Sequence, residues 1–129
     1  MKLSDQKGQA LVELAIILPL LVLLVFGAFE FGRAMYIKNT LNYAAREGAR
    51  RASTCDPFNI TTVQDYVSNS VPVSLQAGLV TSVTPVAPQH GITTVTVVVT
   101  RPFATVVPDL LTQLAGITTL SAQASMRYE

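Results

Sequence analysis

The chain begins with a long apolar run, and polar side chains return only after it. Residues 9 to 29 contain one charged side chain, Glu13, and residues 14 to 29 contain none. A helix rises ~1.5 Å per residue, so residues 9 to 29 would span roughly 31 Å, close to the ~30 Å hydrocarbon core of a bilayer. The pattern therefore predicts a membrane-spanning helix.

The helical pattern continues beyond Phe29, but it changes from continuously apolar to amphipathic. Apolar and small residues recur every three or four positions, while charged and amide side chains fall between them. Pro57, within the segment TCDPFN, ends the pattern. We predict one helix over residues 9–53, followed by a small α+β head over residues 54–129. The recurring residues are Ala34, Ile37, Leu41, Ala44, Ala45, Gly48, Ala49 and Ala52.

In the head, the composition and the alternation of apolar and polar residues are typical of β-strands. Residues 66–100 contain no Asp, Glu, Lys or Arg and are rich in Thr and Val, and Pro72, Pro85, Pro88 and Gly91 interrupt them. We predict strands over residues 79–86, 92–104 and 120–129. The last alternates most clearly, with one apolar and one polar face. An antiparallel three-stranded sheet laid on the outer half of the helix would bury these faces, which gives an α+β fold.

Two shorter elements are expected beside the sheet. Thr61 or Thr62 can cap a short helix that ends near Asn69. Its apolar face would comprise Val63, Tyr66 and Val67. Residues 108–115 are typical of a short helix or turn.

Glu13 is the most informative residue of the apolar run. A carboxylate inside a bilayer costs about 2.5–3.5 kcal/mol or more, so it needs a partner or a function. No Lys or Arg lies within residues 9–29. Cleavage between Gly8 and Gln9 would create an α-amino group four residues before Glu13, one helical turn away on the same face. The pair could form within one chain or between neighbours offset by roughly 6 Å, and the second case makes the helix a polymerisation element.

Other residues of the helix suggest bending and close packing. Pro19 lacks an N–H and crowds the Ala15 carbonyl, which predicts a bend, although membrane helices also tolerate proline. Several small residues spaced four apart would let another backbone approach, either the chain's own head or a second subunit. These residues are Ala28 with Gly32, and Ala44 with Gly48 and Ala52.

These residues also carry a family resemblance. The start of the chain resembles the processing site of type IV prepilins. Residues 1–8 form a short leader that contains Lys2 and Lys7 and ends at Gly8, and Glu13 is the fifth residue after that glycine. More narrowly, the chain resembles the TadE-like minor pilins, or pseudopilins, of tight-adherence (Flp-type) pilus systems. Leu14 departs from the major Flp pilins, which usually have an aromatic residue there. The matching passages are GQALVE (8–13), LPLL (18–21), FGAFEFGR (26–33), AAREGAR (44–50) and the ending SAQASMRYE (121–129).

The resemblance implies a function and a location. It implies a pilin-like fold, cleavage after Gly8 by a prepilin peptidase, and N-methylation of Gln9. The implied partners are other pilins, Tad assembly components and membrane lipid. The head would lie on the periplasmic side of the bacterial inner membrane, and the subunit could enter an extracellular pilus.

Composition argues against several other functions. Only 13% of residues are charged and the net charge is +1, so nucleic-acid binding is not expected. His90 is the sole histidine and Cys55 the sole cysteine. Neither a metal cluster nor a catalytic triad can be built from them, and we expect no enzyme activity, cofactor or small-molecule substrate. Cys55 is either a small residue near a helix end or a bridge to another subunit.

Three alternatives remain open from the sequence. A cleaved signal peptide is disfavoured, because the run is too long and no small-residue cleavage site follows it. A single-pass membrane protein that never enters a filament would explain the same anchor, and an exported adhesive head would explain the Thr-rich sheet.

A count of the cations beside the apolar run would place the head in the cytoplasm, since five follow the run: Arg33, Lys38, Arg46, Arg50 and Arg51. Surface ion pairs are expected from Glu30 to Arg33 and from Glu47 to Arg50 and Arg51.

Overall fold

The computed structural model describes residues 3–54, 59–89, 92–105 and 119–128. It divides into two compact units, Met1–Arg33 and Ala34–Glu129. The predicted α+β class is confirmed: a long N-terminal helix precedes a small antiparallel three-stranded sheet. The elements in chain order are α1 (Leu3–Thr54), α2 (Ile60–Asn69), α3 (Val73–Gln76), β1 (Val80–Gln89), β2 (Ile92–Pro102) and β3 (Thr119–Tyr128).

Helix α1 is longer than predicted at its start. It begins at Leu3, within the predicted leader, and ends at Thr54, one residue after the expected end. Pro19 lies inside α1, and the helix continues through it. The missing N–H removes one hydrogen bond, which the bonds of the neighbouring turns can outweigh.

The sheet has the order β1-β2-β3 with antiparallel neighbours. Val97, at its centre, is paired with Val83 on β1 and Ala124 on β3. The predicted alternation is confirmed: Val95, Val97 and Val99 are buried, while the polar residues of β3 are exposed. Strand β1 continues to Gln89, beyond the predicted residue 86, and β2 ends at Pro102, before the predicted residue 104.

The core of the second unit joins α1 to the sheet and to α2. A Cβ atom added to Gly48 would lie 2.4 Å from Cγ2 of Val67 and 3.3 Å from Cγ1 of Val97, so a helix, a second helix and a strand meet at this glycine. The absence of a side chain permits this approach. The α1 residues buried in this core are Ile37, Leu41, Ala44, Ala45, Ala49 and Ala52.

The connection from α2 to β1 differs most from the sequence predictions. Asn59 caps α2, because its Oδ1 accepts from the Thr61 backbone N–H at 3.0 Å, so the predicted Thr61 or Thr62 cap is wrong. Val63 and Val67 are buried as expected, but Tyr66 is exposed. Helix α3 was not predicted. Cys55, His90 and residues 108–115 lie outside the described residues.

Candidate functional site

The apolar half of α1 exposes large hydrophobic side chains around its circumference. Every residue from 8 to 29 is exposed, including Ile16 and Leu20, each more than 70% exposed. Among the described residues, this is the helix that is long and apolar enough to cross a membrane. A helix that is apolar on all sides requires an apolar environment, and a bilayer supplies one. The apolar helix therefore fits membrane anchoring.

Glu13 lies on this apolar surface. Its side chain is exposed, and residues 9 to 29 of the helix offer no cation. Because α1 is helical from Leu3, Gln9 and Glu13 lie on one face, roughly 6 Å apart along the axis. The structure thus provides the spacing on which the predicted amine–carboxylate pair depends.

Gly8 has no packing reason to be a glycine. A Cβ atom there would meet no atom within 4 Å, and its position in α1 requires no unusual backbone angle. Glycine in a helix costs about 1 kcal/mol relative to alanine. Folding of the isolated chain therefore does not account for this residue, whereas recognition by another protein would.

The Gly8–Gln9 peptide bond lies within α1. No break in the helix marks the predicted boundary between leader and mature chain.

The five small residues predicted to mediate helix packing fall into two groups. Ala44, Gly48 and Ala52 are buried in the core of the second unit, against the chain's own head. Ala28 and Gly32 are exposed, and a Cβ atom on Gly32 would meet nothing within 4 Å. Only Ala28 and Gly32 leave open the close approach of another helix.

The ion pair at the end of the apolar run differs from the expected surface pair. Arg33 Nη2 lies 2.8 Å from Glu30 Oε2, but the Glu30 side chain is only 10% exposed. The pairing of Glu30 with Arg33 was predicted correctly, but the burial of Glu30 was not. A three-residue spacing predicts that two side chains can meet and gives no information on their exposure to solvent. A largely buried carboxylate depends more on its partner than an exposed one does.

A second charged cluster connects α1 to α2. Arg50 pairs with Glu47, as predicted, and the Tyr66 hydroxyl donates to Glu47 Oε1 at 2.9 Å. These hydrogen bonds from Arg50 and Tyr66 lower the pKa of Glu47 to about 2. Arg51 lies 5.9 Å from the centroid of the Tyr66 ring, so it makes a cation–π contact. The role of Tyr66 was not predicted from the sequence, because its bond to Glu47 depends on how α2 packs beside α1.

Two side chains reach the backbone of the sheet. Lys38 Nζ donates to the Ser121 carbonyl oxygen of β3, and Gln64 Nε2 donates to the Thr81 carbonyl oxygen of β1 at 2.9 Å. No sequence signal indicated either bond, since each joins residues that are distant along the chain. Within the described ranges, no three His, Cys, Asp or Glu side chains are grouped as a metal site would require.

Comparison with known proteins supplies one match. The family model described as TadE-like protein matches residues 8–50, a segment that includes Gly8, Glu13 and the α1 residues from Ile37 to Ala49 that are buried in the head core. No curated protein and no solved structure matches the chain.

Proposed function

We propose that this chain, which is TadE-like over residues 8–50, is a minor pilin or pseudopilin that acts in the assembly of a Flp-type (Tad) pilus. The family match and the apolar helix support a role in the Tad system with a membrane anchor. The finer assignment, a pilin subunit cut by a prepilin peptidase, depends on residues 8–13.

The observation that carries the proposal is the position of Glu13. It is exposed on a helix surface that is otherwise apolar, and it lies one turn after the predicted new terminus at Gln9. Without a partner, the carboxylate costs about 2.5–3.5 kcal/mol at the centre of a membrane helix. The Gln9 α-amino group would offset this cost by ion pairing.

The pair would act between subunits during docking. An incoming helix displaced by roughly 6 Å would bring its Glu13 level with the terminus of its neighbour. Ala28 and Gly32 would let the two helices approach closely. A bend at Pro19 would help the helix adapt between bilayer and filament.

The head lies on the periplasmic side of the inner membrane in this proposal. The five cations that follow the apolar run would by count place it in the cytoplasm. Two of them are already engaged: Arg50 pairs with Glu47, and Arg33 pairs with Glu30. The proposal sets the count aside, because the resemblance of residues 8–13 to a prepilin processing site supports the opposite orientation.

Mass spectrometry of the mature N-terminus tests the proposal. In the native host we expect a chain that begins at Gln9, and a Gly8→Leu variant that retains the leader. Gly27→Leu is the matched control, because Gly27 is also a helical glycine with nothing within 4 Å of an added Cβ atom. A wild-type chain that begins at Met1 would instead favour a single-pass anchor, and a soluble product without the apolar run would favour an exported head.

A further inference from the structure

A surface pocket lies between α2, α3 and the start of β1, all within the second unit. Its volume is about 380 Å³, within the roughly 300–1,000 Å³ range of small-ligand pockets. The pocket combines polar and apolar groups. Its lining includes the polar residues Gln64, Asp65, Ser68 and Gln76 and the apolar residues Leu79 and Val80.

The two glutamines of the pocket have fixed orientations. Gln76 Nε2 donates to the carbonyl oxygens of Ser68 and Val71, each at 3.0 Å, and Gln64 Nε2 donates to that of Thr81 at 2.9 Å. Because a carbonyl oxygen only accepts, these bonds decide which end of each amide is nitrogen. Both amide hydrogens of Gln76 are used, so its Oε1 is the atom that remains for a ligand. The Oε1 atom of Gln64 likewise remains an acceptor.

The wall that carries Leu79 and Val80 is held by a tight turn. Gly78 has a φ of 75°, which favours glycine, and a Cβ atom added to it would lie 2.9 Å from Cγ of Pro102. The Leu79 backbone N–H donates to the Gln76 carbonyl oxygen at 3.0 Å. The folded chain therefore shapes the pocket before any ligand arrives, which lowers the cost of binding.

The charge of the pocket is negative. Asp65 is exposed, and it is the only Asp, Glu, Lys or Arg between residues 57 and 100. The last turn of α2 contains no basic residue, so no side chain of that turn offsets the partial negative charge at the C-terminal end of the helix. Within the described residues, no Lys, Arg or His lines the pocket. A carboxylate beside amide oxygens therefore favours a cation that carries hydrogen-bond donors.

The apolar wall indicates which kind of cation fits. Val80 is 63% exposed, and a bare metal ion would leave it in water. The methylene stem of a lysine or arginine side chain would cover it. A guanidinium can bond to the Asp65 carboxylate through two parallel N–H groups and keep others for Gln76 Oε1, whereas an ammonium acts as a point charge. The pocket therefore fits a guanidinium group on an aliphatic stem.

We propose that this pocket binds a guanidinium group, with Asp65 as its counterion, Gln76 Oε1 as a second acceptor and Val80 against the stem. Both an arginine side chain of a polypeptide and a free guanidino compound supply this chemistry. The inference goes beyond the proposed function, because the site lies in the head and acts independently of the docking of α1.

NMR titration of the isotope-labelled full-length chain in an uncharged detergent tests the proposal. The probe is N-acetylarginine N-methylamide, and its match is the citrulline compound, which has a similar shape and no charge. The arginine probe should shift the backbone amide signals of Asp65, Gln76 and Val80 in a saturable way. The citrulline compound should bind at least roughly threefold more weakly, as the loss of an exposed ion pair predicts. Equal binding of the two compounds, or no saturable shift, would overturn the proposal.

Substitutions separate the charge from the apolar wall. Asp65→Asn should reduce binding of the arginine probe to the citrulline level, whereas Asp65→Glu, which keeps the carboxylate, should retain most of it. Val80→Ala should weaken both compounds by roughly twofold, since it removes apolar contact with the stem. Val73→Ala is the matched control, because Val73 is 82% exposed on α3, outside the lining. Unchanged binding in Asp65→Asn would contradict the proposal.

Photo-crosslinking in native host membranes identifies what carries the guanidinium. p-Benzoylphenylalanine replaces Ser82, which lies on the same face of β1 as Val80. A protein adduct that is lost in Asp65→Asn and kept in Asp65→Glu assigns the group to an arginine of that protein. Binding of the arginine probe without any adduct assigns it to a free guanidino compound. An adduct of equal yield in wild type and Asp65→Asn would show that the contact does not use this pocket, and the polypeptide source would fail.

The two proposals fail separately. Asp65 lies on α2, outside the residues proposed for docking, so Asp65→Asn should lose the guanidinium and keep surface pili. Glu13→Ala should lose pili and still bind the arginine probe. Loss of pili in Asp65→Asn would contradict the independence of the two sites.

Discussion

Gly48 of α1 and Val67 of α2 pack so closely that a Cβ atom on the glycine would stand 2.4 Å from Cγ2 of the valine. Real Cβ atoms do not approach other atoms this closely, and valine is stiff about χ1. The contact therefore fixes the distance between the two helices. The packing of the head requires that residue 48 has no side chain.

Gly48→Ala is expected to destabilise the head. Overpacking of a core costs about 1–3 kcal/mol, and the gain in helix propensity returns at most about 1 kcal/mol. Thermal unfolding of the full chain in detergent, followed by near-UV circular dichroism, would measure the loss. Gly32→Ala is the control, since nothing lies within 4 Å of its added Cβ atom. Equal melting of the two variants would contradict this account, and Val67→Ala should partly rescue Gly48→Ala.

Glu13→Ala is expected to insert in the membrane and to accumulate, but to fail in assembly. Removal of the carboxylate lowers the cost of insertion and removes the partner of the Gln9 amine. Surface pili counted by electron microscopy, together with the membrane content of the subunit, would separate assembly from insertion. Asp65→Ala, which removes an exposed carboxylate of α2 outside the apolar run, is the matched control and should leave pili in place. Wild-type numbers of pili from Glu13→Ala would refute the docking role.

Acid is expected to loosen the link between α1 and α2. The pKa of Glu47 is lowered from 4.5 to about 2 by its bonds to Arg50 and Tyr66. A lowered folded-state pKa gives stability that is fully present above the unfolded value near 4.5 and is lost as the pH falls toward 2. Melting temperatures of wild type and Glu47→Gln, measured between pH 5 and pH 2, should converge as the pH falls.

Tyr66→Phe tests the same cluster without removing a charge. Loss of the hydroxyl removes the hydrogen bond from Tyr66 and leaves those from Arg50, so the pKa of Glu47 should rise toward its ordinary value. Titration of the Glu47 carboxyl by NMR would measure this shift. Tyr43→Phe is the control, because Tyr43 is 63% exposed. An unchanged titration of Glu47 in Tyr66→Phe would show that Arg50 alone sets its pKa.

Leu41→Ala is expected to cost about 2–5 kcal/mol of head stability, because Leu41 is fully buried and its removal leaves a cavity. Leu24→Ala removes the same atoms from a residue that is 67% exposed in the apolar run, so head stability should not change. Chemical denaturation in detergent, followed by tyrosine fluorescence, would compare the two variants. A similar loss in both would show that the head core does not depend on α1.

The sequence alone predicted the features that depend on local pattern. The period of the apolar residues identified α1, and the period of two identified the buried faces of β2 and β3, because a helix or strand presents its side chains at fixed intervals. The residues from Gly8 to Glu13 likewise indicated the family over the segment that the family model matches.

Only the tertiary structure decided which of these residues meet. It assigned Gly48 to the chain's own head, left Gly32 open, and buried Glu30, although the sequence treats the two glycines alike and gave the ion pair an exposed position. It also joined Tyr66 to Glu47. The physical reason is that periodicity specifies the direction of a side chain from its own element, whereas burial and long-range hydrogen bonds depend on the element that packs against it.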